Sequence, residues 1–231
     1  MKIVMIHGQN HHGSTWAIGH CLVDHIKTEK EVQEFYLPKD LPHFCLGCYR
    51  CLDNLEACPY WREKEPMINA MLKADVLILT SPTYCMMPSA PMKSFLDLFY
   101  TNWMIHKPYP QMFMKKAVVI STAAGMGAKS TTRLLAKSLH FWGISEVIKY
   151  GRVVHAMNYD QIDIKSKKKI EEDMQRIVKR LSHQKVHVSV KVRCLFYFCR
   201  WMQKMNWGAS IQEKQYWENQ GWLDKKKPWR I

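Results

Sequence analysis

The sequence predicts an α/β fold: a doubly wound, five-stranded parallel sheet with helices on both faces, followed by a C-terminal helical or extended extension. Three observations carry this. Five apolar runs of strand length alternate with stretches of helical periodicity. The clearest of them, DVLILT at 75–80, is apolar throughout, as a parallel strand covered on both faces must be. The segments that follow the first, third and fourth runs are rich in glycine, proline and small residues, which end a strand and turn the chain.

Strand 1 is expected over Lys2–Ile6, and a helix from Ser14 to about Lys27. Val32, Phe35 and Leu37 mark a short second strand. Residues 38–66 form a long connection, of the length that usually serves function. A short helix follows over Met67–Lys73, then strand 3 at Asp75–Thr80. The three prolines of 81–91 argue against any regular element there. Helical periodicity resumes at Ala90–Tyr100, with Met92, Phe95, Leu96 and Phe99 on one face. Ala117–Ser121 is strand 4, and Ser145–His155 is strand 5. The helix between them, Lys129–Trp142, has Leu134, Leu135, Leu139 and Trp142 as its buried stripe. A charged amphipathic helix, Asp160–Leu181, closes the sheet.

This divides the chain into a sheet domain at 1–182 and a basic, aromatic extension at 183–231. Arg193–Trp207 reads as a helix packing on the domain or on a second subunit, with a membrane surface as the lesser alternative. Residues 210–231, with Trp217, Trp222 and Trp229 set between charges, suggest an extended tail over a partner surface. Phe196, Tyr197, Phe198, Trp201, Trp207 and Trp217 suit a subunit interface, so a homodimer or homotetramer is expected.

With 47% hydrophobic and 23% charged residues, the chain can bury a core and is not disordered. No apolar run is long enough to cross a membrane. Strand 1 begins at once, with no charged and apolar leader before it, so a cytoplasmic protein is expected. The net charge of +14 invites a nucleic-acid reading. The excess sits near the C-terminal end with no RRM or zinc-finger pattern beside it, which favours a solvated basic surface and no nucleic-acid partner.

The chemistry concentrates after the strands. KIVMIHGQNHHGSTW joins a strand, a glycine-bearing turn and a helix start. Free first-turn N–H groups and the positive end of the helix dipole make such a junction an anion site. It is neither a P-loop nor GxGxxG, and a plain turn with a serine cap competes with the anion reading. In an open parallel sheet, ligands bind beyond the carboxyl ends of the strands. His7–Thr15, Ser81–Pro88 and Thr122–Gly127 all lie there, which suggests one elongated ligand with a phosphate at the first loop and a flat ring between the other two.

GQNHHGST after strand 1, LTSPTYCMMPSAPMKSFLDLF after strand 3 and STAAGMG after strand 4 resemble the flavodoxin-like NAD(P)H-dependent FMN reductases, in particular the branch that includes iron–sulfur flavoproteins. The resemblance covers about residues 1–155, and YWENQGWL near the end resembles the same branch. It implies an FMN-dependent NAD(P)H oxidoreductase passing electrons to a quinone, nitro compound or similar small-molecule acceptor. It also implies a flavin phosphate held by Gln9, His11, Ser14, Thr15 and Trp16, with Pro82, Thr83, Tyr84 and Cys85 along the isoalloxazine. Ala123, Gly125, Met126 and Gly127 would close the ring's other side. Tyr84, Met86 and Trp103 are candidates for lining the nicotinamide space. No residue is expected to act as general acid or base, since the flavin performs the hydride and electron chemistry.

Cys45-x2-Cys48-x2-Cys51-x6-Cys58-Pro59 is the second signal. It approaches the ferredoxin spacing except in its last gap. The resemblance implies a [4Fe–4S] cluster held by all four cysteines. The residues alone also allow zinc or free thiols. With a cluster, the chain would carry electrons from a ferredoxin-like donor. Cys21, Cys85, Cys194 and Cys199 lack ligand spacing and read as buried thiols.

Overall fold

The computed structural model describes residues 1–182, 186–207 and 210–230. Strands β1 (Lys2–His7), β2 (Glu31–Tyr36) and β3 (Val76–Thr80) are followed by a two-residue pair, β4 (Thr83–Tyr84) and β5 (Met87–Pro88). The long strands β6 (Lys116–Ala123) and β7 (Glu146–Val153) complete the set. The main sheet is parallel, in the order β2-β1-β3-β6-β7. This is the flavodoxin-like winding, which reverses direction between β1 and β3 and opens a crevice at their carboxyl ends.

The helices are α1 (Ser14–Asp24), the single turn α2 (Arg50–Asp53), α3 (Trp61–Lys73), α4 (Ala90–Leu98), α5 (Ala128–Phe141), α6 (Ile164–Leu181), α7 (Val190–Lys204) and α8 (Ile211–Asn219). On one face of the sheet, Val4, Ile6, Leu77, Leu79 and Val119 pack against Met71, Phe95, Leu139 and Trp142 from the α3–α5 side. On the other face, Ile3, Met5, Ile78, Val118 and Ile120 pack against α1 and α6 through Ile18, Leu22, Ile170 and Met174. Neighbouring residues of one strand thus face opposite cores, which is why these strands are apolar at every position rather than at every second one.

Four expectations change. Helix α3 starts at Trp61, six residues before the expected Met67, because apolar packing of its inner face overrides the bond that Pro66 removes. The proline-rich segment after β3 does form structure. Thr83 pairs with Pro88 and Tyr84 with Met87, and the turn uses positive φ at Cys85 (49°) and Met86 (66°). Leu134 is exposed, whereas Leu135, Leu139 and Trp142 are buried, so the α5 stripe is narrower than expected.

The fourth concerns the extension. Residues 211–219 are a helix rather than extended chain, opened by a capping box between Ser210 and Glu213. A third core joins Val192, Phe196, Cys199, Trp217 and Trp222 to Met104 and Phe113 of the preceding chain. Phe196 and Trp217 are therefore interior residues and not interface ones. Tyr197, Phe198, Trp201 and Trp207 stay exposed.

Candidate functional site

The carboxyl ends of β1, β3, β6 and β7 surround a cleft of about 470 Å³. From the first loop, Gln9, His11, Ser14, Thr15 and Trp16 line it. From the second come Pro82, Thr83 and Tyr84, and from the third Ala123.

Four expected residues fall outside the lining. Cys85 is exposed at the turn of the β4–β5 hairpin, with a positive φ of 49°. Gly125 and Met126 are exposed beyond the end of β6. Gly127 packs instead against the hairpin: its φ is +93°, and a Cβ there would lie 2.8 Å from Met86 Sδ and 2.9 Å from Thr83 Cγ2. Two nicotinamide-side candidates also lie outside the lining: Trp103 stacks on Phe141 at 4.2 Å against the core, and Met86 is exposed on the hairpin turn. Sequence reasoning missed the loop after β7, which contributes Val154, Ala156, Met157 and Asn158. The signal was available, because this loop leaves the carboxyl end of a fifth parallel strand. His7, Thr80 and Thr122, the last residues of their strands or nearly so, also line the cleft.

Side-chain hydroxyls clamp the loops together. Ser89 Oγ donates to the Gly8 carbonyl at 2.6 Å, and Ser121 Oγ donates to the Ser81 carbonyl at 2.6 Å. Thr15 Oγ1 and Thr122 Oγ1 lie 2.6 Å apart, and Thr83 Oγ1 lies 2.8 Å from Ser121 Oγ. Gly8 permits the first of these approaches, since a Cβ on it would sit 2.7 Å from Ser89 Oγ.

The head of α1 leaves polar groups without protein partners. The residue before it, Gly13, caps with no side chain, and the first helical bond is Ala17 N–H to the Gly13 carbonyl. The amides of Ser14, Thr15 and Trp16 therefore precede the ladder and have no helical acceptor. Ser14 Oγ is buried and has no hydrogen-bond partner among the described residues. A buried hydroxyl without a partner costs free energy that a ligand oxygen would recover. The serine is the first residue of the helix and does not act as its cap, which favours the anion reading over the plain capped turn.

Beside this end lies a polar stack. Glu34 Oε2 accepts from Tyr36 Oη at 2.7 Å and lies 2.9 Å from His7 Nε2 and 3.1 Å from His20 Nε2. Burial pushes the Glu34 carboxyl up, but hydrogen bonds from Tyr36 and His7 outweigh it and hold the group below the ordinary carboxylate range. Burial also lowers His7, which makes it neutral at pH 7. Trp16 donates to Tyr36 Oη at 3.2 Å and stacks on His12 at 4.2 Å, so the indole forms a wall next to the anion end.

The four-cysteine loop borders a second, smaller cavity on the α3–α4 side. Cys45, Cys48, Cys51 and Cys58 line one small cavity with Tyr60, Lys64, Leu98 and Tyr100. Cys45 and Cys48 are exposed, Cys51 is buried and Cys58 is half-buried, all as free thiols. Cys51 Sγ lies 3.4 Å from Tyr100 Oη, and Lys64 Nζ donates to Cys58 Sγ at 3.6 Å. The only His, Cys or carboxylate trio among the described residues with ligand atoms within 4.8 Å is His7, His20 and Glu34, so no three of the four sulfurs approach that closely. Tetrahedral zinc at about 2.3 Å would hold them roughly 3.8 Å apart. Of the other cysteines, Cys199 is buried on the α7 stripe with Val192, Phe196 and Gln203, and burial pushes its thiol up to about 12. Cys194 lies off that stripe and is exposed, and Cys21 is half-buried.

No curated protein is significantly similar to the chain. Among solved structures, an NAD(P)H:quinone oxidoreductase from Methanothermobacter marburgensis superposes with a TM-score of 0.61 at 14% identity, over 81% of this chain and 98% of that one. An apo NADH:FMN oxidoreductase gives 0.56 at 17% identity, over 79% and 90%. An FMN-dependent NADH-azoreductase from Bacillus anthracis, solved with FMN, gives 0.53 at 12% identity, over 79% and 100%. At these identities the likeness is one of fold. The family model of the NADPH-dependent FMN reductases matches residues 1–158, which takes in β1 to β7 and all four loops of the cleft. The chain belongs to the NADPH-dependent FMN reductase family of flavin oxidoreductases.

Proposed function

We propose that the cleft binds FMN with its phosphate at the head of α1, and that the protein takes electrons from NAD(P)H and delivers them to a quinone, a nitro compound or a similar small acceptor. The unpartnered Ser14 hydroxyl, next to amides that precede the helical ladder, carries this reading. Gln9, His11, Thr15 and Trp16 would complete the phosphate end, and Pro82, Thr83, Tyr84 and Ala123 would border the ring. The bound flavin supplies the hydride and electron chemistry. The chain binds and orients it, excludes water with Trp16 and Tyr84, and presents backbone amides rather than a mobile charge. Residues 1–182 serve as the FMN domain and 183–231 as its extension, in a cytoplasmic homo-oligomer. Exposed Tyr84, Met86 and Met126 lie on loops at this end of the sheet, where a second subunit would cover the ring.

The test is an absorption spectrum after FMN addition and desalting, followed by anaerobic titration with NADH and with NADPH. A retained band near the flavin's visible maximum that bleaches with either nucleotide and returns on adding a quinone is the expected result. Failure to retain FMN overturns the cleft assignment.

A second reading rests on a separate observation. The four cysteines line one cavity, and no three of their sulfurs lie within 4.8 Å of one another. A [4Fe–4S] cluster takes one thiolate on each of four irons, so its sulfurs stay farther apart. In this reading the cysteines hold a cluster that exchanges electrons between a ferredoxin-like donor and the flavin. Acid-labile sulfide with about four irons per chain in protein purified without oxygen is its expected signature, and iron-free protein after reconstitution would exclude it.

A further inference from the structure

We propose that Lys64 is the internal counter-cation of the four-cysteine site and sets the reduction potential of the cluster held there; this rests on the iron–sulfur reading above. Lys64 is 1% exposed, among the most deeply buried large side chains of the chain. It sits on the inner face of α3, one turn before Met67 and Ile68, where the helix otherwise presents apolar residues. A lysine so placed ordinarily runs its stem along the protein and keeps its ammonium in water. This one does not.

Its surroundings contain little to balance a charge. The ammonium lies 5.6 Å from the centre of the Phe99 ring, a weak cation–π contact. Among the described residues no carboxylate comes within 4.0 Å of Lys64, and neighbouring Glu63 is turned toward His43 at 3.6 Å. Among the described residues, the one polar atom bonded to it is Cys58 Sγ at 3.6 Å. A buried cation without an opposing charge is costly, and a negative partner would offset that cost. The sulfur side of this cavity is the available source. Four thiolates on a cluster carry net negative charge, and Lys64 faces that charge from the dry side while Cys45 and Cys48 face solvent. Uptake of one electron adds one more negative charge to the cluster and its ligands. A fixed, desolvated cation stabilises the reduced form more than the oxidised one and so raises the potential.

The test compares wild type with Lys64→Met, which keeps the length and apolar character of the side chain, and with Lys64→Arg, which restores the charge. Each is reconstituted anaerobically with iron and sulfide and assayed for iron, sulfide and bound FMN. The cluster is then titrated potentiometrically by EPR. The expected result is a lower cluster potential in Lys64→Met with FMN content unchanged, and recovery toward wild type in Lys64→Arg. Equal potentials in all three proteins overturn the role of Lys64 while leaving the cluster in place. Wild type that takes up no iron and sulfide overturns the iron–sulfur reading itself, and the present one with it. Should Lys64→Met fail to fold, Lys64→Gln provides the uncharged comparison.

Discussion

Ser14 shows how much a single side chain can report. A buried hydroxyl with no partner is a small defect in the free protein and an asset once an oxyanion arrives. Ser14→Ala should therefore separate folding from binding. Thermal unfolding of the FMN-free protein should be unchanged or slightly improved, by up to about 1 kcal/mol. FMN affinity, read by quenching of flavin fluorescence, should weaken about tenfold, or roughly 1.4 kcal/mol. Equal losses in both measurements would make Ser14 a structural residue. The candidacy of Ser14 was legible from its place after a glycine turn at a helix start. The absence of any protein partner was not, because it depends on where Thr122 and the loop after β7 end up.

At the scale of elements, the extension illustrates how aromatic composition is ambiguous until packing is known. Phe196 and Trp217 stack at 5.2 Å, Trp217 Nε1 donates to the His106 carbonyl at 2.8 Å, and Phe113 meets Phe196 edge-on at 6.0 Å. Buried Glu213 lies 2.5 Å from His106 Nδ1, which ties α8 to the loop ahead of β6. Helices α7 and α8 are thereby built into the molecule rather than laid over it. Trp217→Ala should cost about 3–5 kcal/mol in urea-induced unfolding, since it removes a fully buried indole and leaves a carbonyl unpaired. A change below about 1 kcal/mol would show that α8 docks too loosely to count as part of the core. Composition pointed to a helix over α7, but which of its aromatic residues turn inward was settled by Met104 and Phe113, which lie about ninety residues earlier in the chain.

For the molecule as a whole, stability should depend on pH with a defined sign. His7 and His140 both have lowered pKa values, chiefly through burial. Above about pH 6.5 both are neutral whether the chain is folded or not, and their contribution is fully present. Below it the unfolded chain takes up protons first, so stability falls with pH until the folded-state values are reached. Glu34, held low, adds a loss in the same direction at pH values below its ordinary 4.5. The urea midpoint should drop between pH 7.5 and 5.5, and His7→Asn should make that drop shallower, leaving the part due to His140. A steeper drop in His7→Asn would instead mean that the His7–Glu34 contact is charged in the native state.

What the sequence alone determined is the architecture. Continuous apolar strands alternating with amphipathic helices leave few arrangements besides a two-faced parallel sheet, and the small-residue loops must then gather at one edge of it. That reasoning reached the loops at 7–15, 81–88 and 122–127 because strand ends are local; within them Gln9, Ser14, Thr15, Thr83 and Ala123, which the family resemblance picked out, line the cleft. Tertiary structure alone decided the rest. The β4–β5 hairpin depends on positive φ at two non-glycine residues, held by the packing of Gly127 beneath Met86. The contacts of His7 and His20 with Glu34 depend on β1, α1 and β2 converging. The burial of Lys64 against Cys58 depends on how the cysteine loop folds back on α3. Hydrophobic period constrains which elements form, but the charge state and partners of a side chain depend on solvent exclusion by residues distant in sequence, and no local pattern encodes that.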